Sequence, residues 1–410
     1  MKELTYDVLN DIAQKYGQSF YILDTECFQN NYKNLLSEFR KVYPNTHIAY
    51  SYKTNYIPEL CKIVDSLGGY AEVVSDMEYE IARRIGVPNE RIIFNGPYKN
   101  PTAVEEIILS GGLVNIDSDF DLAIVQKLAL KHTDKNLSVG IRCNFDVGDG
   151  VISRFGFDIY SESFNRALAY LKSAPNISLC ALHIHFANRK LDVWEKRVSG
   201  IFDLLDTHFV DVPPRIDLGG GLFGNMADSL KVQFGSYIPS FEEYAHTVAS
   251  AFFERFKNSV NPPMLFIEPG SALAGDAMKF AAKVVGIKSI RGKKIATLLG
   301  SIYNINPTLN KKNPPIFVFH DRNGPLQMEY RNLDFSGFTC IESDYLYRGF
   351  DGLLVEGDYV VFNNVGSYSV VLKPPFILPN FSIIELQNDG TVNLIKRPET
   401  FDDLFRTYTF

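Results

Sequence analysis

Short apolar segments alternate with amphipathic segments from residue 46 to about residue 270, and no other feature constrains the fold of this 410-residue chain as strongly. The apolar segments read as buried strands, and the segments between them carry apolar residues at helical spacing. Pro58 and Ser75 suit the first turn and the N-cap of two of these helices. The predicted strands are residues 48–53, 70–75, 91–96, 113–117, 137–144, 177–185, 215–219 and 264–269.

Eight strand–helix repeats favour an α/β fold of the (β/α)8 TIM-barrel type over a doubly wound sheet. In such a barrel the carboxyl ends of all strands open onto one mouth, where the chemistry is done. Nearly every predicted strand ends on a polar residue or on glycine. These strand-end residues are Lys53, Ser75, Asn95, Asp117, Asn144, His185, Gly219 to Gly221 and Glu268.

The rhythm changes after Gly270, where alternating apolar and polar segments are separated by glycine, proline and asparagine. This pattern predicts a second, mostly β domain of the sandwich or barrel type. A strand is also predicted near the N-terminus, outside the barrel rhythm. We therefore predict a barrel domain over 27–273, and a β domain built from 1–26 together with 274–410.

Charge and cysteine content narrow the class of protein. The formal net charge of −7 argues against a nucleic-acid partner, which would require a basic face. The N-terminal residues lack the apolar core of a signal peptide, and no apolar run approaches the ~20 residues that span a bilayer, so we expect no membrane partner. The five scattered cysteines indicate a reducing cytoplasm rather than disulfides or a zinc site.

Lys53 ends the first predicted barrel strand, in the run from His47 to Asn55. A lysine buried at that position would have a lowered pKa, and its neutral amine could form a Schiff base with an aldehyde. The competing interpretation is a lysine that caps the strand and reaches water. Taken alone, this stretch favours the second interpretation.

Other strand ends carry further candidates. The glycines at 219 to 221 could bind a phosphate through their backbone N–H groups, or could form a flexible turn. Glu268 could pair with a cationic ring nitrogen, or could form a structural salt bridge. His183 and His185 point to one face of their strand, but no third ligand follows at metal-binding spacing, so we predict no metal. Cys340 lies among polar residues that suit proton transfer.

The order of these motifs resembles that of fold-type III pyridoxal-phosphate decarboxylases, and most closely the group of diaminopimelate and ornithine decarboxylases. Each motif is weak alone, but the set covers most of the chain. The motifs are Lys53-Thr-Asn, Glu72-Val-Val-Ser75, Ser153-Arg-Phe-Gly156, His183-Ile-His185, Asp217-Leu-Gly-Gly-Gly221, Glu268-Pro-Gly270, Cys340-x-x-x-Asp344 and Gly366-Ser-Tyr368.

The resemblance implies an alanine racemase-like barrel with a C-terminal β domain, a pyridoxal 5'-phosphate cofactor, an amino-acid substrate and a head-to-tail homodimer with shared active sites. Lys53 would carry the cofactor as an internal aldimine, His185 would stack on its ring, and Glu268 would pair with the ring nitrogen. Cys340, supplied by the other subunit, would protonate the product. The phosphate would be held by Gly219, Gly220, Gly221, Gly270 and Tyr368.

Several positions depart from the family pattern. Ser271 and Asn306 stand where enzymes acting on diaminopimelate carry arginines that hold the distal carboxylate. Ile341 intervenes before Glu342, and Ala187-Asn188 replace the usual Gly-Ser. The substrate is therefore predicted to be an amino acid or amino-acid conjugate other than diaminopimelate. The residues predicted to line its pocket are Ser271, Asn306, Glu342 and Asp344.

Two other functions fit the same barrel. One is an amino-acid racemase or epimerase, and the other is a decarboxylase-like regulator that has lost its cofactor. The cysteine motif favours decarboxylation over racemisation, since the racemases of this fold use a lysine and a tyrosine. Retention of Lys53, Glu268 and Cys340 argues against a regulator.

Overall fold

The computed structural model describes residues 3–410, which form two compact units. One unit comprises Gln29–Gly224 and Tyr237–Ala272, and the other comprises the described residues up to Phe28 with Asn225–Ser236 and Leu273–Phe410. The segment Asn225–Ser236, which the sequence prediction includes in the barrel domain, is part of the second unit. We refer to the two as the barrel unit and the β unit.

Strands and helices are numbered in chain order over residues 3–410. The strands are β1 (Phe20–Leu23), β2 (Thr46–Ser51), β3 (Tyr70–Val73), β4 (Ile92–Phe94), β5 (Leu113–Ile116), β6 (Leu137–Asn144), β7 (Phe157–Asp158), β8 (Ile177–His183), β9 (Arg215–Asp217), β10 (Met264–Ile267), β11 (Met278–Ile290), β12 (Lys293–Leu298), β13 (Ile316–Phe319), β14 (Met328–Ser336), β15 (Tyr345–Leu354), β16 (Tyr359–Phe362), β17 (Ser382–Leu386) and β18 (Val392–Lys396). The α-helices are α1 (Tyr6–Tyr16), α2 (Thr25–Val42), α3 (Pro58–Ser66), α4 (Asp76–Ile85), α5 (Pro101–Leu109), α6 (Asp119–Lys131), α7 (Glu162–Ser173), α8 (Leu191–His208), α9 (Asp228–Lys231), α10 (Phe241–Phe256), α11 (Ser271–Ala274), α12 (Ile302–Ile305) and α13 (Phe401–Phe405).

Eight parallel strands of the barrel unit close into a barrel, as the sequence predicts. Neighbouring strands pair in the order β2, β3, β4, β5, β6, β8, β9 and β10, and β10 pairs with β2 to close the ring. Five of the six residues of β2 are buried, because its inner face meets the barrel core and its outer face meets helices. This is why the barrel strands appear in the sequence as short apolar runs.

The helices between the strands begin where the sequence indicates. Pro58 is the first residue of α3, where a proline costs no helical hydrogen bond. The hydroxyl of Ser75 accepts a hydrogen bond from the backbone N–H of Glu78 and caps α4. Because each helix begins at a defined residue, it places the strand that follows it beside the preceding strand. The side chains at the strand ends therefore lie together at one mouth of the barrel.

The β unit is built around one twisted sheet with the order β15-β14-β12-β11-β1-β17-β18, to which β16 and β13 add through β11. The N-terminal strand β1 pairs antiparallel with β11 and parallel with β17. Apolar side chains of α1 pack on this sheet, including Leu9 and Ile12. Strand β1 therefore belongs to the sheet of the β unit.

Across the described residues, the structure contains no helix that combines the length and the apolar character needed to cross a bilayer.

Candidate active site

A pocket with a volume of about 160 Å³ lies in the barrel unit, where several of its polar residues directly follow the barrel strands. Acidic, basic and aromatic side chains face each other across it. The lining residues are Lys53, Glu72, Val74, Asn95, Gly96, Pro97, Arg142, Phe155, His183, His185 and Glu268.

Lys53 lies in a single 3-10 turn, Tyr52–Thr54, directly after β2. Its Nζ donates a hydrogen bond of 2.5 Å to Oε2 of Glu72. The lysine side chain is 32% exposed, whereas the glutamate side chain is fully buried. The sequence predicts a desolvated lysine, but the side chain of Lys53 is partly exposed and lies against a buried carboxylate. The amine is thus held at the pocket by an ion pair.

Glu72 is a site residue to which sequence reasoning assigned no role. Its carboxylate accepts hydrogen bonds from the hydroxyl of Ser51 at 2.5 Å and from the side-chain amide of Asn95 at 3.1 Å, in addition to the bond from Lys53. Three donors fix the position of this carboxylate. Because a carboxylate accepts protons, Glu72 can receive a proton from the Lys53 ammonium.

Glu268 directly follows β10 and forms the base of the pocket. Its Oε1 accepts a 2.6 Å hydrogen bond from Asn95, and its Oε2 lies 3.3 Å from Nε2 of His183 and 3.7 Å from Nδ1 of His185. Burial opposes ionisation of Glu268, but its contacts with the two histidines and the charge of Lys53 outweigh burial and hold its pKa well below the usual range. Glu268 is therefore ionised.

Asp217, at the end of β9, is a second buried carboxyl group beside Glu268. Burial and the charge of Glu268 raise the pKa of Asp217 well above its usual range, so this group is protonated. Its Oδ1 accepts a 2.8 Å hydrogen bond from the N–H of Gly219, and its Oδ2 is buried without a hydrogen-bond partner among residues 3–410. The pair therefore carries one negative charge rather than two.

The side chains of His183, Asp217 and Glu268 bring one potential ligand atom each within 4.8 Å of the others, a geometry that the sequence did not reveal. A divalent cation could use such a set. In the structure, however, Asn95 and His183 already bind the two oxygens of Glu268. These contacts do not test the prediction that the protein binds no metal.

His185 faces the pocket two residues after the end of β8. Burial lowers the pKa of His185 to about 4, so the imidazole is neutral at physiological pH. Its Nδ1 accepts a 2.9 Å hydrogen bond from the backbone N–H of Gly220, which leaves the ring proton on Nε2. A neutral, flat ring at the pocket wall suits contact with another flat ring.

The glycine loop after β9 uses two of its three N–H groups inside the barrel unit. Gly219 donates to Asp217 and Gly220 donates to His185. The N–H groups of Gly221 and Gly270 have no hydrogen-bond partner in the described part of the chain. A Cβ atom at Gly270 would lie 2.0 Å from Oγ1 of Thr54, so only glycine fits there. We therefore assign Gly221 and Gly270 as the available anion donors.

The remaining predicted residues lie in the β unit, apart from Ser271, which starts α11. Cys340 has an exposed side chain, as does Glu342. Tyr368 has a backbone φ of 64°, a conformation that is strained for a residue other than glycine. These three residues keep their predicted roles as proposals.

Asp344 and Asn306 make contacts that differ from those expected of substrate residues. Asp344 is buried, and its oxygens accept hydrogen bonds from Ser301, Ile302 and Thr339. Asn306 bonds to Asn310 within its own loop. Asp344 thus caps α12, and hydrogen bonds from its own unit occupy both of its carboxylate oxygens. Its predicted substrate role stays a prediction.

Four site residues received no individual role from the sequence: Glu72, Asn95, Arg142 and Asp217. Three of them are polar residues at or near the ends of predicted strands. No local feature of the sequence distinguishes a polar residue of the pocket from a polar residue on the surface. Arg142, inside β6, binds Asp117 at 3.1 Å and lies over the ring of Phe155. An arginine within an apolar strand was the available signal.

Comparison with known proteins gives one family and several relatives. The family described as "Pyridoxal-dependent decarboxylase, pyridoxal binding domain" matches residues 30–275. Diaminopimelate decarboxylase from Aquifex aeolicus is 25% identical over 413 residues, which cover 96% of this chain and 92% of that protein. L-glutamyl-[BtrI acyl-carrier protein] decarboxylase from Niallia circulans is 24% identical, covering 97% of this chain and 95% of that protein.

Solved structures show the same fold. The crystal structure of diaminopimelate decarboxylase from M. jannaschii superposes with a TM-score of 0.86 at 22% identity, covering 98% of this chain and 94% of that one. The arginine decarboxylase of Paramecium bursaria Chlorella virus superposes with a TM-score of 0.73 at 20% identity, covering 93% of this chain and 100% of that one. Both chains span nearly the whole length of the present fold.

Proposed function

The chain belongs to the family of pyridoxal-dependent decarboxylases, and from this premise we propose that its substrate is an amino acid or amino-acid conjugate other than diaminopimelate. The protein is a carboxy-lyase of the diaminopimelate decarboxylase type, and pyridoxal 5'-phosphate is its cofactor. The observation that carries the proposal is the presence of Ser271 and Asn306 at the positions of two family arginines.

The pocket suits this cofactor on its own chemistry. Its base holds an ionised carboxylate, its wall holds an amine and a neutral imidazole, and the glycine loop leaves the N–H of Gly221 without a protein partner. An aromatic aldehyde with a ring nitrogen and a phosphate needs one group of each kind. We propose that Lys53 holds the aldehyde carbon, Glu268 the ring nitrogen, and His185 the ring face.

Bound pyridoxal phosphate supplies an electron sink for the pair released when the α-carboxylate leaves. The residues of the chain prepare for this chemistry. Glu268 stays ionised and can keep a proton on the ring nitrogen. Glu72 can take the proton that Lys53 must lose before its amine acts as a nucleophile. Tyr368, Gly221 and Gly270 are proposed to hold the phosphate.

The proposed substrate class follows from two positions. Ser271 and Asn306 replace arginines that would each form charge-assisted, bidentate hydrogen bonds with a distal carboxylate. A hydroxyl and an amide make weaker bonds, and the amide of Asn306 is engaged in its own loop. A substrate with a neutral, cationic or conjugated distal end therefore fits better. The relative from Niallia circulans, named for a carrier-protein-bound glutamyl substrate, supports the conjugate class.

We further propose a head-to-tail homodimer in the cytoplasm, in which Cys340 of the partner subunit protonates the product at Cα. The exposed thiol of Cys340 is accessible for such a contact. All five cysteines are free, in keeping with a reducing compartment. Racemisation and a regulatory role gain no support from the relatives, which are named as decarboxylases.

Carbon dioxide release from a substrate panel tests the proposed substrate class. The panel contains diaminopimelate, lysine, ornithine, arginine, glutamate and glutamyl thioesters. Diaminopimelate should have a kcat/KM about 100-fold below that of the best substrate, because two charge-assisted contacts are missing. Ser271→Arg is the matched variant and should narrow that gap. Equal turnover of diaminopimelate by the wild type contradicts the proposal, and label exchange at Cα without carbon dioxide release would identify a racemase.

Replacing Cys340 by alanine should lower kcat by about 100-fold, because a positioned general acid contributes that order of rate. Cofactor binding, followed by absorbance, should stay unchanged. The product made in deuterated water should lose its stereochemical purity at Cα. Cys180→Ala, which removes a thiol of the barrel unit, is the control.

Mixing the inactive Cys340→Ala and Lys53→Ala proteins tests whether the site is shared. Subunit exchange should restore part of the activity if one subunit supplies the lysine and its partner supplies the cysteine. No recovery in mixed dimers would place both groups in one subunit. Size-exclusion chromatography with light scattering confirms that exchange has occurred.

A further inference from the structure

Arg197, on α8, is completely buried beneath the glycine loop of the barrel unit. One guanidinium nitrogen donates to the carbonyl oxygens of Gly220 at 2.6 Å and Leu218 at 3.3 Å. The other donates to the carbonyl oxygens of Phe186 at 2.5 Å and Asn188 at 2.8 Å. A single side chain thus joins the loop after β8 to the glycine loop after β9.

This cation has no carboxylate partner in an ion pair among residues 3–410, and its Nε has no hydrogen-bond partner there. Burial lowers the pKa of Arg197 to about 9, so the guanidinium stays charged at neutral pH. Burying an uncompensated charge is costly. Hydrogen bonds to four carbonyls could have been made by neutral donors, so the positive charge itself requires an explanation.

The peptide groups that Arg197 contacts are all trans, because the described chain contains no cis peptide bond. In a trans peptide the C=O and the N–H point in opposite directions. The carbonyl of Gly220 faces Arg197, so the N–H of Gly221 in the same peptide points away from it. The carbonyl of Phe186 orients the N–H of Ala187 in the same manner. Neither N–H has a hydrogen-bond partner in the described residues.

A hydrogen bond to a carbonyl polarises its peptide group and makes the N–H a stronger donor. The neighbouring residue Trp194 supports the same loop, since its indole N–H donates to the carbonyl of Gly221 at 3.0 Å. Its ring also stacks with the guanidinium, whose carbon lies 4.1 Å from the ring centroid. Helix α8 therefore presents a cation and an indole that together orient the peptide groups of the glycine loop.

We propose that Arg197 is a positioning residue for the phosphate of the cofactor: it orients the N–H groups of Gly221 and Ala187 and supplies a buried positive charge behind them. The inference rests on the proposed function, which assigns Gly221 to the phosphate. The departure at Ala187-Asn188 supports it. Where the family usually has Gly-Ser, this chain lacks the serine hydroxyl, and the carbonyls on either side of Ala187 are held by Arg197.

Binding of two probes to the apoprotein tests this role without measuring activity. Pyridoxal phosphate and pyridoxal share the ring and the aldehyde but differ in the phosphate. The wild type should bind the phosphorylated probe much more tightly. Arg197→Met should weaken binding of pyridoxal phosphate by about 10- to 100-fold, the range expected for lost charge-assisted interactions. Its affinity for pyridoxal should change by less than about threefold, since ring contacts are untouched.

Two further variants separate charge from loop support. Trp194→Phe removes the indole hydrogen bond to the glycine loop but no charge, and it should lower the affinity ratio of the two probes by less than Arg197→Met does. Arg197→Lys keeps the charge and loses the planar fork. It should lower the ratio of the affinities for pyridoxal phosphate and pyridoxal by a few-fold. It also serves as the test if circular dichroism shows that Arg197→Met does not fold. An unchanged ratio in Arg197→Lys, with Arg197→Met unfolded, overturns the proposal.

The outcomes distinguish this inference from the proposed function. If the wild type binds both probes equally, the phosphate assignment of Gly221 fails, and the role of Arg197 fails with it. If the wild type prefers the phosphorylated probe and Arg197→Met keeps that preference, the proposed function stands and Arg197 is only structural. An equal loss of affinity for both probes in Arg197→Met would also identify a structural role.

Discussion

Replacing Lys53 by alanine should abolish decarboxylation, with kcat reduced by about 1,000-fold or more, because the covalent link to the cofactor is lost. We propose the amine of Lys53 as the nucleophile, and its 2.5 Å contact with Glu72 holds it at the pocket. Borohydride treatment of the wild type should trap one cofactor adduct per chain. Peptide mapping should locate that adduct at Lys53.

Lys99→Ala serves as a lysine control, because Lys99 is buried in an ion pair with Asp121 rather than in the pocket lining. The folded fraction of the Lys99→Ala protein should still form the borohydride adduct at Lys53. Lys53→Arg keeps the positive charge beside Glu72 but cannot form the covalent link. A borohydride adduct at another lysine of the wild type would refute the assignment of Lys53.

Replacing Glu268 by glutamine should lower kcat by about 100-fold or more, while the protein still binds the cofactor. The neutral amide keeps the size and most hydrogen bonds of the side chain, but it cannot hold a proton on the ring nitrogen, so the electron sink is weakened. Steady-state kinetics and the visible spectrum of the bound cofactor measure both effects.

Asp217→Asn is the matched control for Glu268→Gln. Asp217 is already uncharged in the folded protein, so an amide there changes little charge, and kcat should fall by less than about tenfold. Loss of the Glu268 charge also removes one cause of the raised pKa of Asp217, which could then ionise and partly replace Glu268. The double variant excludes this compensation. A wild-type rate in the double variant would contradict the role of Glu268.

Periodicity was enough to predict the barrel. A parallel strand that is buried on both faces must be apolar throughout, and eight such runs at regular spacing leave few alternatives. The β unit was harder to predict from local pattern. Strands β14 and β15 pair with each other as consecutive strands, but they carry many exposed residues, so alternation alone did not reveal them.

The site residues also divide into those that the sequence could indicate and those that only the fold reveals. The polar residues at strand ends, including Lys53, His185 and Glu268, were recognisable because their positions repeat. Asp344 is the opposite case: its carboxylate looks available in the sequence, and only the fold shows that Ser301 and Thr339 donate hydrogen bonds to it. A charged residue in a polar stretch gives no local sign of whether its partners are ligands or its own backbone.

By itself, the sequence determined the order of strands and helices, the barrel class and the residue types that reach its mouth, because these depend on local patterns of burial. Tertiary structure alone decided which of those side chains meet. It paired Lys53 with Glu72, left one charge on Glu268 and Asp217, and set Arg197 beneath the glycine loop. Each of these contacts joins residues on different strands or helices, where protonation depends on burial and on neighbouring charges that no local pattern encodes.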